Sequence, residues 1–300
     1  MSDVLVSHVA ALPWEPDLVA VGAHERRVEV WSLARLAPLA VMDTVLDFGG
    51  QRLALVTDGQ AEPVVVAGAW ARHGVCGHAL SGERIWQYRE RSQVQYVTAL
   101  AGGRVAVGFE RGPAIVLDAA TGRPRDELRA VVQVVALTPE VVLLVSRTHV
   151  QVTGADLVPR GSRVALRSFS VLDAAAGDGL VALAEAAGDL RFLRLDGSER
   201  AAYPVPGGHV RRVAFDASTG TWRALTSVDQ GDRVGCALIR LTPDGELLEQ
   251  RPLDSVTDAA WLRDGAALVY VSERGVFLLA DDEVVPLRLT QPDTSDPRRD

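Results

Sequence analysis

Val94-Gln95-Tyr96-Val97-Thr98-Ala99-Leu100, Arg104-Val105-Ala106-Val107-Gly108, Pro113-Ala114-Ile115-Val116-Leu117 and Asp126-Glu127-Leu128-Arg129 follow one another with only short loops between them. Each run is strand-length, and the first three are rich in Val, Leu and Ala and bounded by Gly, Asp and Pro. None has the length or spacing of an amphipathic helix, so the stretch reads as four consecutive strands, a to d.

The second of these runs recurs. Leu18-Val19-Ala20-Val21-Gly22, Val64-Val65-Val66-Ala67-Gly68, Val142-Leu143-Leu144-Val145-Ser146, Leu180-Val181-Ala182-Leu183-Ala184, Arg223-Ala224-Leu225-Thr226-Ser227 and Leu268-Val269-Tyr270-Val271-Ser272 all end in a small residue, as Gly108 does. The seven end points lie 46, 40, 38, 38, 43 and 45 residues apart. A second marker, a Gly-containing turn, follows 13 to 18 residues later in four units, as in Leu195-Asp196-Gly197-Ser198-Glu199 and Leu241-Thr242-Pro243-Asp244-Gly245. Four short strands in each unit of ~40 to 45 residues is the pattern of a β-propeller blade. The expected fold is therefore all-β, a seven-bladed β-propeller of four-stranded antiparallel blades over residues 1–289, with a disordered tail at 290–300. Blade two offers five candidate strands, Thr44–Phe48, Arg52–Thr57, Val64–Trp70, Val75–Leu80 and Arg84–Tyr88. Either Val4–Val6 completes the last blade, or Glu283–Leu287 does so unaided.

Composition narrows the chemistry. The chain has no lysine and no asparagine, so all 31 of its Lys-plus-Arg residues are arginine. Walker-loop, kinase-lysine, Schiff-base and Ser-Lys chemistries are excluded. Turns must use Asp-Gly and Gly-Gly in place of Asn-Gly. A net charge of -8 argues against general nucleic-acid binding, which favours a basic excess. The first residues lack a basic segment followed by an apolar run, and no apolar run approaches the roughly 20 residues of a membrane helix. A cytoplasmic protein without membrane insertion is expected, its two cysteines, Cys76 and Cys236, reduced.

Blade one, with Leu18–Gly22 followed by Val28-Glu29-Val30-Trp31-Ser32-Leu33, resembles a WD repeat whose closing Asp has become Ser32. Blade six resembles the opening half of that repeat, with Gly208-His209 before Val210–Asp216, but it lacks the closing Trp-Asp pair. Blade two, with Ala79-Leu80-Ser81-Gly82-Glu83-Arg84-Ile85-Trp86, is similar to the quinoprotein (PQQ-like) repeat, and blade three repeats its turn but places Asp126 where the Trp would fall. The resemblance covers about residues 7–289. It implies the propeller fold and leaves function open, because propellers host scaffolds and enzymes alike. A quinone cofactor is not expected, since the family's calcium ligands include an asparagine this chain lacks; no cofactor of any other kind is expected. Leu157-Val158-Pro159-Arg160-Gly161-Ser162 matches a commonly engineered thrombin-cleavage sequence. Blade four keeps its 38-residue spacing with the segment included, which favours a native loop.

The one weak metal candidate is His73, Cys76 and His78, in which Cys76 and His78 share a strand face. No second ligand cluster, catalytic triad or nucleophile elbow is recognisable, so no catalytic residue is expected. Sorting the loops by face is more informative. The b-to-c and d-to-a loops share one rim, the top, and there fall Arg26, Arg27, Arg72, Arg89, Arg111, Arg147, Arg233 and Arg274, with Arg91, Arg129, Arg167 and Arg251 in d-to-a connections. The opposite loops are mainly acidic. Polar hairpin tips are the ordinary explanation. The functional one is a non-enzymatic scaffold whose Arg-rich top docks an acidic protein segment, since guanidinium forks bind carboxylates bidentately. The alternative is a propeller hydrolase or lyase acting at the mouth of the central channel, which would show a deep pocket ringed by acids and histidines.

Overall fold

The computed structural model describes residues 6–11, 17–23, 27–44, 52–57, 62–68, 74–89, 92–205, 208–229, 234–253, 255–262 and 265–290. These form seven four-stranded antiparallel sheets. Blade one is β1 (Val6–Ala11), β2 (Leu18–Ala23), β3 (Arg27–Ser32) and β4 (Ala37–Asp43); blade two is β5 (Arg52–Val56), β6 (Val64–Gly68), β7 (Val75–His78) and β8 (Arg84–Tyr88). Blade three is β9 (Val94–Leu100), β10 (Arg104–Phe109), β11 (Ala114–Asp118) and β12 (Pro124–Leu128); blade four is β13 (Gln133–Thr138), β14 (Val141–Val145), β15 (His149–Gly154) and the two-residue β16 (Val164–Ala165). Blade five is β17 (Val171–Gly177), β18 (Leu180–Glu185), β19 (Leu190–Arg194) and β20 (Glu199–Tyr203). Blade six is β21 (Gly208–Asp216), β22 (Thr221–Asp229), β23 (Val234–Leu241) and β24 (Leu247–Leu253); blade seven is β25 (Val256–Leu262), β26 (Ala267–Ser272), β27 (Gly275–Ala280) and β28 (Glu283–Leu287).

Every sheet is a meander in chain order, and the first strand of each blade touches the first strand of the next until β25 meets β1. This is the expected seven-bladed propeller. The second strands are buried along their whole length in β6, β18 and β26, because neighbouring blades cover both faces of each sheet. Such strands become continuous apolar runs. Outer strands face solvent and lose the pattern: β12 is exposed at four of its five positions. The turn marker also has a backbone cause, since Gly82, Gly122, Gly197 and Gly245 all have φ between 67° and 92°, where a side chain is strained.

Four of blade two's five candidates form its sheet; of Thr44–Phe48, all but Thr44 lie outside the described residues, as do residues 291–300 of the expected tail. Trp86 bolts blade two to blade three, donating from Nε1 to the Ala119 carbonyl at 2.7 Å. A Cβ on Gly77 or Gly122 would lie 2.3 or 2.6 Å from its ring, so both positions need glycine. In blade four, Leu157–Ser162 is an integral part of the sheet's edge, with backbone bonds from Arg160 N to Val152 O and from Ser162 N to Asp196 O.

Among the described residues the ring closes without strand exchange. Glu283–Leu287 completes blade seven as β28, and Val6 belongs to β1; Val4 and Leu5 lie outside the described residues. The seam between blades one and seven therefore rests on side chains. Val9, Val19, Val21, Trp31 and Leu33 pack against Leu262, Val269, Val276, Leu278 and Leu287. Buried Glu29 holds the segment that follows β28 by accepting Thr290 N at 2.9 Å while also accepting Trp31 Nε1 at 3.0 Å.

Candidate functional site: the top rim and the channel

An antiparallel meander puts its a-to-b and c-to-d turns at one end and its b-to-c and d-to-a turns at the other, so the loop sorting above follows from the observed topology. Of the eight arginines expected on the top face, Arg26, Arg72 and Arg233 lie outside the described residues. Arg89, Arg111, Arg147 and Arg274 are exposed at the expected turns. Arg27 is turned inward instead, with its side chain 14% exposed and Nε 3.4 Å from Glu29 Oε1.

The b-to-c tip of blade three is tied to the loop from blade two: Arg111 N donates to Ser92 Oγ at 2.8 Å and Glu110 N to Gln93 O at 2.8 Å. Those bonds bring the Arg89 loop beside Arg111, with Arg147 on the next tip round. Among the described residues, none of these three guanidinium groups has an ion-pair partner. Arg129 nearby is held by Glu127 at 3.1 Å.

Blade five is different. Glu185, 0% exposed, accepts Arg191 Nη1 at 2.9 Å and the backbone N of Arg167 at 2.7 Å. Arg191 Nε and Arg167 Nη2 both reach Glu199, at 2.9 and 2.8 Å, and Arg167 Nη1 lies 3.4 Å from Asp189. These arginines are neutralised within the blade. Arg251 also leaves the rim: it sits in β24 and its Nη1 donates to Asp282 O at 3.1 Å. Among the described residues, Arg89, Arg111 and Arg147 of the blade two to four sector thus have no ion-pair partner, whereas Arg167 and Arg191 are paired on blade five. Phe169, in the loop before β17, stands 85% exposed on the same face; a lone Phe in a polar loop gives no periodic signal in the sequence.

At the axis, the innermost strands enclose a channel of about 620 Å³. Its walls are mainly Ala, Val and Leu, with Phe215 and Trp261 among the few aromatics. Asp173 and Arg212 line it, and Asp258 stands behind Arg212. Arg212 Nη2 donates to Asp258 Oδ1 at 2.6 Å and its Nε to Ala259 O at 2.7 Å. Asp258 Oδ2 takes Val9 N across the blade seam at 3.0 Å and lies 3.4 Å from His8 Nδ1. Asp173 Oδ2 takes Val213 N of the next blade at 2.8 Å. A polar chain thereby links blades five, six, seven and one.

Burial raises the Asp173 carboxyl to about 6, against the opposing pull of Arg212. Between the ordinary value of 3.8 and about 6 the folded state holds a proton the unfolded chain has released. The stability this contributes is full below 3.8 and lost as pH rises through about 6. Burial pushes Asp258 the same way, but the His8 hydrogen bond, Arg212 and Val9 N outweigh it and hold the carboxyl below its ordinary value.

Two of the three weak metal candidates, Cys76 and His78, lie among the described residues. Cys76 packs with Val28, Val30, Met42, Leu55 and Val65, and burial pushes its thiol up to about 11 despite Arg84 and Arg89. His78 is fully buried and held below its ordinary value, chiefly by burial. His73 lies outside the described residues, and among those described no three His, Cys, Asp or Glu side chains converge. Two Ser-His contacts occur on the rim, Ser146 Oγ to His149 Nδ1 at 2.7 Å and Ser227 Oγ to His209 Nε2 at 3.0 Å. Neither imidazole has a carboxylate partner among the described residues, and Ser146 Oγ also bonds the His149 carbonyl at 2.8 Å. Among the described residues no nucleophile is presented with an oriented base.

No family model matches the chain, and no curated protein matches it. Solved structures do. The Cps50 (Swd1) β-propeller domain of Myceliophteria thermophila, a WD40 propeller, superposes with a TM-score of 0.68 at 12% identity, covering 90% of this chain and 93% of that one. BamB from Moraxella catarrhalis, a propeller of PQQ-like repeats, superposes with a TM-score of 0.60 at 14% identity, covering 92% of this chain and 83% of that one. The two resemblances read from individual blades are thus both found in the fold; at such identities the likeness shows the fold alone.

Proposed function

We propose that this propeller is a non-enzymatic interaction module that docks an acidic protein segment on the top rim of blades two to four. The carrying observation is the contrast between sectors: Arg89, Arg111 and Arg147 are exposed without ion pairs among the described residues, whereas the blade five arginines are closed onto Glu185, Asp189 and Glu199. Guanidinium groups on adjacent tips suit a run of carboxylates, and the exposed ring of Phe169 offers an apolar contact on the same face. The two buried, free cysteines accord with a cytoplasmic setting. The channel supplies the deep pocket an enzyme would need, but its Arg212–Asp258 pair is engaged in joining blades, so the interaction reading is preferred.

The test is fluorescence anisotropy with a labelled glutamate-rich peptide. Combined Arg89→Glu, Arg111→Glu and Arg147→Glu substitution weakens binding at least about ten-fold, and the wild-type affinity falls as salt rises. Arg194→Glu, beside a turn on the opposite face, leaves binding unchanged. Wild-type affinity in the triple variant would overturn the proposal.

A further inference from the structure

The charge arrangement inside the channel is unbalanced. Asp173 and Asp258 face a single guanidinium, Arg212, whose Nε, Nη1 and Nη2 are all engaged, by Ala259 O, Arg211 O and Asp258 Oδ1. Arg211 is turned away, onto the Val256 and Thr257 carbonyls. Asp258 is matched by Arg212 and its neighbour His8. Asp173 accepts backbone N–H groups from Val213 and Ala174, and among the described residues has no ion pair of its own. Asp173, Asp178 and Arg212 line the cavity and Asp258 stands behind Arg212, so three carboxylates meet one guanidinium and leave negative charge in excess, beside a cavity of about 620 Å³ with walls chiefly of Ala, Val and Leu. That volume falls within the range of small-molecule sites, about 300–1,000 Å³.

We propose that the channel binds a small organic cation, an ammonium head on an apolar body, with Asp173 as its counter-ion. A carboxylate held among apolar groups must meet a proton or a cation. Burial at Asp173 already favours the proton, raising the carboxyl to about 6. At neutral pH a ligand ammonium takes the proton's place while the apolar wall covers its body. The proposal goes beyond the rim reading and uses none of its residues, so either can fail alone.

Calorimetric titration with octylammonium, using octanol as the uncharged control, tests it. Saturable one-to-one binding of octylammonium is expected at about pH 7.5. The affinity falls at least about ten-fold in Asp173→Asn, which keeps an acceptor for Val213 N, and about ten-fold in the wild type at about pH 5. The acid loss follows protonation of Asp173. Octanol responds to neither change. Absence of saturable binding, equal affinity in Asp173→Asn, or octanol binding as tightly as octylammonium would each overturn the proposal. Should Asp173→Asn fail to fold, carbon-13 titration of the wild-type Asp173 carboxyl decides. Octylammonium must lower its midpoint by about one pH unit, and an unmoved midpoint rejects the site.

Discussion

Asp258→Ala lowers the free energy of unfolding by about 3 kcal/mol, the lower end of the cost of breaking a buried ion pair from one side. The lower end applies because the Asp258 and Arg212 side chains keep 13% and 33% of their exposure. Two losses combine: Arg212 keeps its charge without its partner, and Val9 N loses its acceptor across the seam. Among the described residues no strand crosses that seam, so the change acts where the ring is joined by side chains. Asp258→Asn, which can still accept from Val9 N, costs less than Asp258→Ala. Urea unfolding measures both, and a change under about 0.5 kcal/mol in the alanine variant would refute the role assigned to this carboxylate. Because Asp258 is held below its ordinary value, its contribution is full above pH 3.8 and lost as pH falls through its folded value.

Glu185→Ala has a comparable effect, about 3 to 4 kcal/mol, by a different route. It leaves the Arg191 guanidinium, 5% exposed, without its closest buried carboxylate, and leaves Arg167 N without its acceptor. A second substitution, Arg191→Met, in the Glu185→Ala background restores part of the loss, because the uncompensated charge is gone. A double-mutant cycle in urea measures the coupling, and purely additive losses would contradict the network. Hydrogen exchange at Arg167 and Ser168 rises in Glu185→Ala, since their amides bond this carboxylate at 2.7 and 3.3 Å.

The blades were legible because the strongest sequence signal and the strongest packing constraint fall on the same strands. Leu180–Ala184 and Leu268–Ser272 are buried on both faces, so every side chain along them is selected to be apolar or small. Glu283–Leu287 gave a weaker signal because an outer strand packs on one side only. That left ring closure open between two readings, and the pairing of β28 with β27 decided it. Arg111 and Arg147 lie exposed in the b-to-c turns of blades three and four, because loop position follows from strand count. Strand count could not say that Arg27 turns onto Glu29, or that Arg167 and Arg191 meet Glu185, Glu199 and Asp189. Those contacts depend on strand twist and on residues up to 32 positions apart.

While a fifth candidate in blade two and the strand that closes the ring stayed open, the sequence by itself determined the seven-fold repeat and the four-stranded pattern of the blades. These follow from local periodicity, which burial between neighbouring sheets imposes residue by residue. Only the tertiary structure decided which charges are free. Whether an arginine is offered to a partner or neutralised at home depends on distances between blades, as Arg191 and Arg147 illustrate. Asp173 is the clearest case: one acidic residue in an alanine-rich strand becomes a candidate counter-ion because ring closure sets it beside an apolar channel with one guanidinium for three carboxylates.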